Sequence, residues 1–362
     1  MRLLTVNAGS SSLKLRLLED QETLHTGDLS ISGGELDPDE VDKALDGWPQ
    51  PDVVGHRVVH GGTLFSSAVV ITPEVEQQLR DLTDLAPLHQ PKSLAGLRAV
   101  SRLLPDVPAV ACFDTAFHAT VPAGASTYAI PRQWRDLGVR RYGFHGLSHA
   151  YASRRGCELT GMPADRSRVV VCHLGAGASL CAVRDGHSID TTMGFTPLEG
   201  LVMATRSGTV DPGLVLWLEE HQDLSPAAVT EMLESRSGLL GLAGDKDHRS
   251  VEQGYRNGVA EAVLAIEVEV HRLVGSICAM AGALGGIDLL VFTGGVGEHS
   301  GLLRELVCRR LAWLGVVIDE ARNGTARPDL ELTAADAEVR TVVVTAREDL
   351  EMAREIAALD LF

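Results

Sequence analysis

The chain has 362 residues and a formal net charge of −17, with 45% hydrophobic and 22% charged residues. That balance excludes a disordered chain, and the length allows two domains that each bury a core. The acidic excess argues against nucleic acid or an anionic membrane surface as partner, and aromatics at 4% leave little for base stacking.

Short β-branched runs alternate with longer helical patterns, the signature of an α/β protein. Strands are expected over Leu3–Val6, Leu13–Leu18, Val53–Val59, Ala109–Phe113, Val169–His173, Ser179–Arg184, Leu289–Thr293 and Arg340–Val344. Helices are expected over Pro73–Asp84, Pro91–Leu104, His149–Thr160, Asp211–His221, Gly258–Ala283, Ser300–Leu314 and Arg347–Ala358. Gly27–Pro51, with Gly33-Gly34 and several acids, reads as the loosest stretch, a reduced peripheral element. The six cysteines form no C-x-x-C pair and sit mostly in apolar runs, as free thiols of a reducing compartment do. Asn7 arrives before a signal-peptide core could form, and the longest uncharged stretch, Leu273–Ile287, is too short to span a bilayer. A cytoplasmic location is expected.

One internal echo stands out. Leu3–Leu18 reads as strand, the turn Asn7-Ala8-Gly9-Ser10-Ser11-Ser12, then strand. Val169–Arg184 repeats this around His173-Leu174-Gly175-Ala176-Gly177-Ala178-Ser179, with Asp185-Gly186 as the next hairpin turn. Small residues in such turns let backbone N–H groups approach an anion closely, although either copy alone is also an ordinary tight turn. Two copies about one domain apart suggest a duplicated fold with a phosphate expected between the halves. A third glycine turn, Thr293–Glu298, joins an apolar strand to a helix; it is not G-x-G-x-x-G and so is no dinucleotide fingerprint.

Polar residues cluster at expected strand ends, where α/β active sites lie. Asp114 follows Val110–Phe113 and sits near Thr115 and His118; it suits a metal or a proton, or simply caps the next element. Arg57 and Arg206 stand beside glycine turns, and arginine offers phosphate or carboxylate a planar, permanently charged fork. His145, between Gly143 and Gly146, fits a donor to a phosphoryl oxygen or a structural histidine.

Together these segments resemble the acetate kinase family, within the superfamily of acetate and sugar kinases, Hsp70 chaperones and actin. The resemblance runs through TVNAGSSSLK at Thr5–Lys14, GHRVVHGG at Gly55–Gly62, APLHQP at Ala86–Pro91, FDTAFHATVP at Phe113–Pro122 and RRYGFHGLSH at Arg140–His149. It continues through CHLGAGAS at Cys172–Ser179, the long block Asp190–Pro212, FTGGVGEHS at Phe292–Ser300 and REDL at Arg347–Leu350. It implies two duplicated actin-like ATPase (ribonuclease H-like) α/β domains with a central cleft. The expected division is 1–118 plus 351–362 on the acyl side and 119–350 on the nucleotide side.

The same resemblance implies reversible transfer of a phosphoryl group from ATP to acetate, with Mg²⁺, or Mn²⁺ in its place, and a homodimer. By position, Asn7, Asp114 and Glu348 match the residues around the metal. Arg57, Arg206, His145 and His89 match active-site groups, and Val59, Leu88, Phe144 and Pro197 match the acyl pocket. Ser10, Ser12, Lys14, His173, Gly175 and Gly177 match phosphate-side positions, and Asp247, Arg249, Gly294, Gly295 and Gly297 match nucleotide-side ones. A carboxylate substrate is already anionic at neutral pH and needs no general base, so Asp114 is assigned to metal organisation first.

Ala176 departs from an asparagine usual in the family, and losing that donor removes about 2–4 kcal/mol if it acts mainly on the transition state. Two other readings stay open. One is a propionate or short-chain acyl kinase; the other is an actin-like nucleotide-binding protein without catalysis, suggested by Ala176 and Ala178.

Overall fold

The computed structural model describes residues 1–8, 12–30, 38–85, 90–325 and 327–361. Contacts divide the chain into two compact units. The first comprises Met1–Ala119, Phe144–Tyr151 and Arg347–Phe362; the second comprises Thr120–Gly143 and Ala152–Ala346.

The first unit is built on β1 (Arg2–Ala8), β2 (Ser12–Glu19), β3 (Glu22–Ser30), β4 (Val53–Val58), β5 (Val69–Val70) and β6 (Ala109–Phe113), in the order β3-β2-β1-β4-β6-β5. The hairpins pair antiparallel, and β1, β4 and β6 run parallel, with Val6 opposite His56 and Arg57 opposite Cys112. Strand alternation decides which side each residue covers. Leu4, Val6, Leu13, Leu15 and Leu17 pack with Val41, Ala99 and Val100 of the helices Pro38–Leu45 and Gln90–Leu103. Leu3, Val53, Val110 and Cys112 face the other way, onto Met352 and Ile356 of the helix Glu348–Ala357. That second face is continued by Asn7, Arg57 and Asp114.

The second unit repeats the plan with β7 (Arg168–Leu174), β8 (Ala178–Arg184), β9 (His187–Thr191), β10 (Leu289–Thr293), β11 (Leu330–Glu331) and β12 (Arg340–Val343). Its order, β11-β12-β10-β7-β8-β9, is the first sheet read backwards, with the same antiparallel and parallel pairings. The two hairpin echoes in the sequence are therefore β1–β2 and β7–β8. The long helix Ala260–Leu284 packs on β7, β8 and β9 and stops at Gly285, whose φ of 71° suits glycine.

Eight expected strands are present. The stretch 27–51 is not merely loose: it carries the end of β3 and the helix Pro38–Leu45, with Trp48 stacked on His25. β3 escapes pattern reading because it is a sheet edge, largely exposed, so no apolar alternation marks it. β9, β5 and β11 are edge strands of two to five residues, too short to show a period. The Thr293–Glu298 turn is instead the start of a helix, Gly294–His299, after which Ser300 caps a second helix through the Leu303 amide.

The helix Glu348–Ala357 lies close to the sheet because Gly55 has no side chain. A Cβ there would stand 2.7 Å from Ile356 Cδ1 and 3.2 Å from the Met352 methyl. Gly55→Val should therefore destabilise the first unit by about 1–3 kcal/mol, as overpacking does, lowering the urea midpoint. An unchanged midpoint would show that the helix shifts without cost.

Candidate active site

The carboxyl ends of β1, β4 and β6 bring Asn7, Arg57 and Asp114 together, and the first residue of the last helix adds Glu348. Arg57 Nε donates to both Asp114 carboxylate oxygens at 3.0 and 3.1 Å, and its Nη2 donates to Oδ2 at 2.5 Å. Arg57 Nη1 donates to Asn7 Oδ1 at 2.9 Å, and Asn7 Nδ2 donates to Glu348 Oε2 at 2.8 Å. Glu348 Oε2 stands 4.0 Å from Arg57 Nε. One buried guanidinium thus sits among two carboxylates and an amide oxygen.

Burial opposes the charge on Arg57, but Asp114 and Glu348 outweigh it and hold the guanidinium above its ordinary value. Burial pushes the Asp114 carboxyl upward, Arg57's charge and hydrogen bonds oppose the rise, and Glu348 adds to it. On the same helix, Glu351 is fully buried and bonded to Arg354 at 2.8 Å. Burial, with the Glu351 charge adding, pushes the Glu355 carboxyl up to about 7.

The backbone around this cluster is fixed by groups that pattern reading did not single out. Gly61 N donates to Thr115 Oγ1 at 3.0 Å, Gly62 N to His60 Nδ1 at 2.8 Å, and His60 N to the buried Gln90 at 3.2 Å. His118 Nε2 bonds the Phe144 carbonyl at 3.0 Å, and since a carbonyl only accepts, that nitrogen carries the proton. Gly146 N donates to the Asp114 carbonyl at 2.8 Å, and a Cβ on Gly146 would collide with that same oxygen. His145, between these anchors, has φ 58°, in the left-handed region where non-glycine residues are strained. Its ring lies 6.5 Å from that of His149. The only sequence signal for these supports was their place inside the motifs, as with His118 near Asp114.

The remaining expectations in the first unit are spread around the cluster. Val59 is buried just beyond β4, and Phe144 is buried edge-on to His60 at 5.5 Å. Lys14 is exposed on β2, directly opposite Asn7, and Ser12 is half-buried at the start of the same strand. Ser10, Leu88 and His89 lie outside the described residues.

In the second unit a cavity of about 370 Å³ is lined by Gly175, Ala176, Ala178, Met203, Asp247, Arg249 and Gly295 among others. Gly175 N donates to the Gly177 carbonyl at 3.0 Å, closing the β7–β8 turn, and this turn abuts Gly295. Gly294 has φ 79°, and a side chain there would meet the Leu174 carbonyl, so glycine is required. His173, Gly177, Gly294 and Gly297 shape the elements behind the lining. Asp247 caps the helix His248–Arg256 and pairs with Arg249 at 2.7 Å. Arg206 Nη1 donates to the Pro197 carbonyl at 2.8 Å and contacts Met203 Sδ at 3.4 Å. These partners are neutral, and burial lowers the guanidinium's pKa while Glu234 raises it.

Two sheets of one strand order, a carboxylate–arginine cluster at the strand ends of one and a glycine-walled cavity in the other define a phosphotransferase of the duplicated actin-like class. The sequence pattern described as the Acetokinase family matches residues 35–354, and the chain belongs to that family. It is 47% identical to an acetate kinase of Microcystis aeruginosa over 304 residues, covering 84% of this chain and 76% of that one. Among solved structures, an acetate kinase of Porphyromonas gingivalis superposes with TM-score 0.90 at 36% identity, covering 99% of both chains. A propionate kinase of Francisella tularensis superposes with TM-score 0.89 at 35% identity, covering 98% of both.

Burial lowers three histidines of the first unit below their ordinary value, His56 to about 3 and His60 and His118 to about 4. Each stays neutral in the folded chain while its unfolded counterpart takes a proton below about pH 6.5. Their stabilisation is complete above that pH and is lost as the pH falls toward 4. Glu355, with its carboxyl pushed up to about 7, acts in the opposite sense by roughly 2 kcal/mol over the same window. Urea unfolding at pH 5.5 should accordingly give a stability lower than at pH 7.5 by roughly 2 kcal/mol. A flat profile would mean that these rings are protonated when folded.

Proposed function

We propose that the chain transfers the terminal phosphoryl group of ATP to acetate, reversibly, giving acetyl phosphate and ADP. The observation that carries this reading is Arg57 held among Asn7, Asp114 and Glu348 at the strand ends of an acetokinase-family chain. Acetate, with a pKa of about 4–5, arrives as a nucleophile, so the protein's work is to overcome repulsion between anions and to position them in line. Arg57 and Arg206 are the cations for that work. Arg206 donates to neutral groups while Glu234 acts on it only through its charge, and its fork suits carboxylate or phosphoryl oxygens. His145, held on both sides by the anchors at Phe144 and Gly146, donates to the transferring group. Within the first unit, Val59 and Phe144 bound the acyl methyl.

Asp114, Glu348 and the Asn7 amide are hard oxygen donors, and no group of three His, Cys, Asp or Glu residues suited to a metal occurs among the described residues. Two carboxylates with the remaining positions left to phosphate and water is the donor set Mg²⁺ accepts. These residues would hold Mg²⁺, which when bound neutralises phosphate charge. The glycine-walled cavity, with Asp247 and Arg249 at its rim, takes the nucleotide. Its volume suits a ligand of that size.

All six cysteines are free, in keeping with a cytoplasmic protein, and no helix among the described residues is long and apolar enough to cross a membrane. The helix Pro212–His221 buries no residue and exposes Leu214, Leu216 and Trp217, which favours a homodimer through that face.

Trapping the acyl phosphate as hydroxamate with Mg-ATP should give product with acetate, and an added methylene should change the rate by about 10–200-fold. Because a propionate kinase is as similar in structure, propionate is the comparison that matters; faster turnover with it would move the assignment, and no product with any acid would end it. Arg206→Ala should cut kcat by about 10²–10³-fold with the fold intact by circular dichroism. A near-normal kcat would remove Arg206 from the mechanism.

A further inference from the structure

The chain passes from the second unit to the first between Ala346 and Arg347, two residues before Glu348. The last three amides before that passage are each held by a different element. Val344 N donates to the Phe292 carbonyl at the end of β10 at 2.9 Å, and Thr345 N donates to Asp329 Oδ1 at 2.9 Å. Asp329 is itself held by Arg155 at 3.0 Å. Ala346 N donates to Glu298 Oε1 at 2.9 Å.

Glu298 belongs to the helix Gly294–His299, whose Gly295 and Val296 line the cavity. It is buried, and its carbonyl, with that of Gly297, accepts from Arg304 Nη1 at 2.9 and 2.7 Å. Arg304 is almost fully buried and also donates to Asn323 Oδ1 at 2.8 Å. The main chain of Glu298 is therefore anchored from one side while its carboxylate reaches the crossover from the other. An ordinary helix-end carboxylate would point to water or cap its own helix; this one is spent on a backbone amide 48 residues further along the chain.

We propose that Glu298 is a positioning residue that ties the occupancy of the cavity to the placement of Glu348. This rests on reading the cavity as the nucleotide site. A nucleotide that fixes the helix Gly294–His299 also fixes the carboxylate carried on it, and with it the Ala346 amide. Restricting Ala346 restricts the start of the next helix, where Glu348 is the first residue. The coupling is reciprocal: whatever fixes Glu348 also favours the nucleotide-bound arrangement of the helix.

The test is amide hydrogen exchange on the full chain with ADP as the probe, together with steady-state kinetics. ADP should slow exchange both at the cavity wall, in residues 173–178, and at the crossover, in residues 343–347, by about tenfold or more. In Glu298→Ala the cavity-wall protection should remain and the crossover protection disappear. Its kcat should drop about 10–100-fold while the KM for ATP moves less than about threefold. Glu298→Gln keeps an acceptor oxygen and should restore both readouts to near wild type. Glu298→Asp, which keeps the charge but shortens the reach, should behave like the alanine form and serves if that variant does not fold. Crossover protection that persists in Glu298→Ala or Glu298→Asp, or a glutamine form as impaired as the alanine form, would overturn the proposal. If ADP protects neither segment in the wild type, the nucleotide reading of the cavity fails and the coupling falls with it.

Discussion

The first unit is organised around a single cation. Arg57 is largely withdrawn from water, and a guanidinium so placed is tolerated only when its donors are met and its charge is answered. Asp114 answers it with a fork of three hydrogen bonds, Asn7 with its amide oxygen and Glu348 with a second carboxylate. Each of those partners comes from a different element, so the demand of one side chain fixes the ends of β1, β4 and β6 and the start of the last helix relative to one another. The glycines at 55 and 146 follow from this. One lets the helix approach the sheet, and the other lets the His145 segment dock on the Asp114 backbone.

The second unit uses the same sheet for a different purpose. Its β7–β8 hairpin corresponds to β1–β2, yet among the described residues the strand ends there carry no charged cluster like that around Arg57. Instead Gly175 and Gly295 line a cavity without side chains, and Gly294 lets the next helix start against the Leu174 backbone. Duplication of a fold thus does not duplicate its chemistry. What a sheet contributes is a set of adjacent strand ends, and the residues placed there decide whether the result is a charged cluster or a hollow.

Much of this was legible in the sequence. Buried strands announce themselves by β-branched runs, and the two hairpin echoes pointed to a repeated unit that the two strand orders bear out. The motifs that marked Asn7, Arg57, Asp114 and Glu348 turned out to lie on one face of one sheet, within hydrogen-bonding reach of one another. The edge strand β3 was not legible, because exposure erases the apolar alternation that betrays a strand, and β9 is too short and polar to show one. Nor were the supporting roles of Gln90, His118 and Glu298. Each acts through a backbone group distant in sequence, and a single side chain aimed at a carbonyl or amide leaves no spacing pattern to read. The segment 27–51 was underestimated for a related reason, since its helix is short and acidic and offers the core only Val41, Ala44 and Leu45.

The first unit is also discontinuous: the helix that covers Leu3, Val53 and Val110 is made of the last residues of the chain. During synthesis from the N-terminus, β1 through β6 emerge early and Leu147 reaches their sheet later. The side that carries Arg57 still lacks the cover of Met352 and Ile356 until the helix Glu348–Ala357 has been made. The second unit, with its own helices, is complete before then. Chain growth therefore imposes an order in which the later-encoded unit closes first and the earlier one waits with an apolar face open to solvent and to other chains. Arrival of the helix Glu348–Ala357, rather than formation of the sheet, is the event that makes the cluster around Arg57 complete.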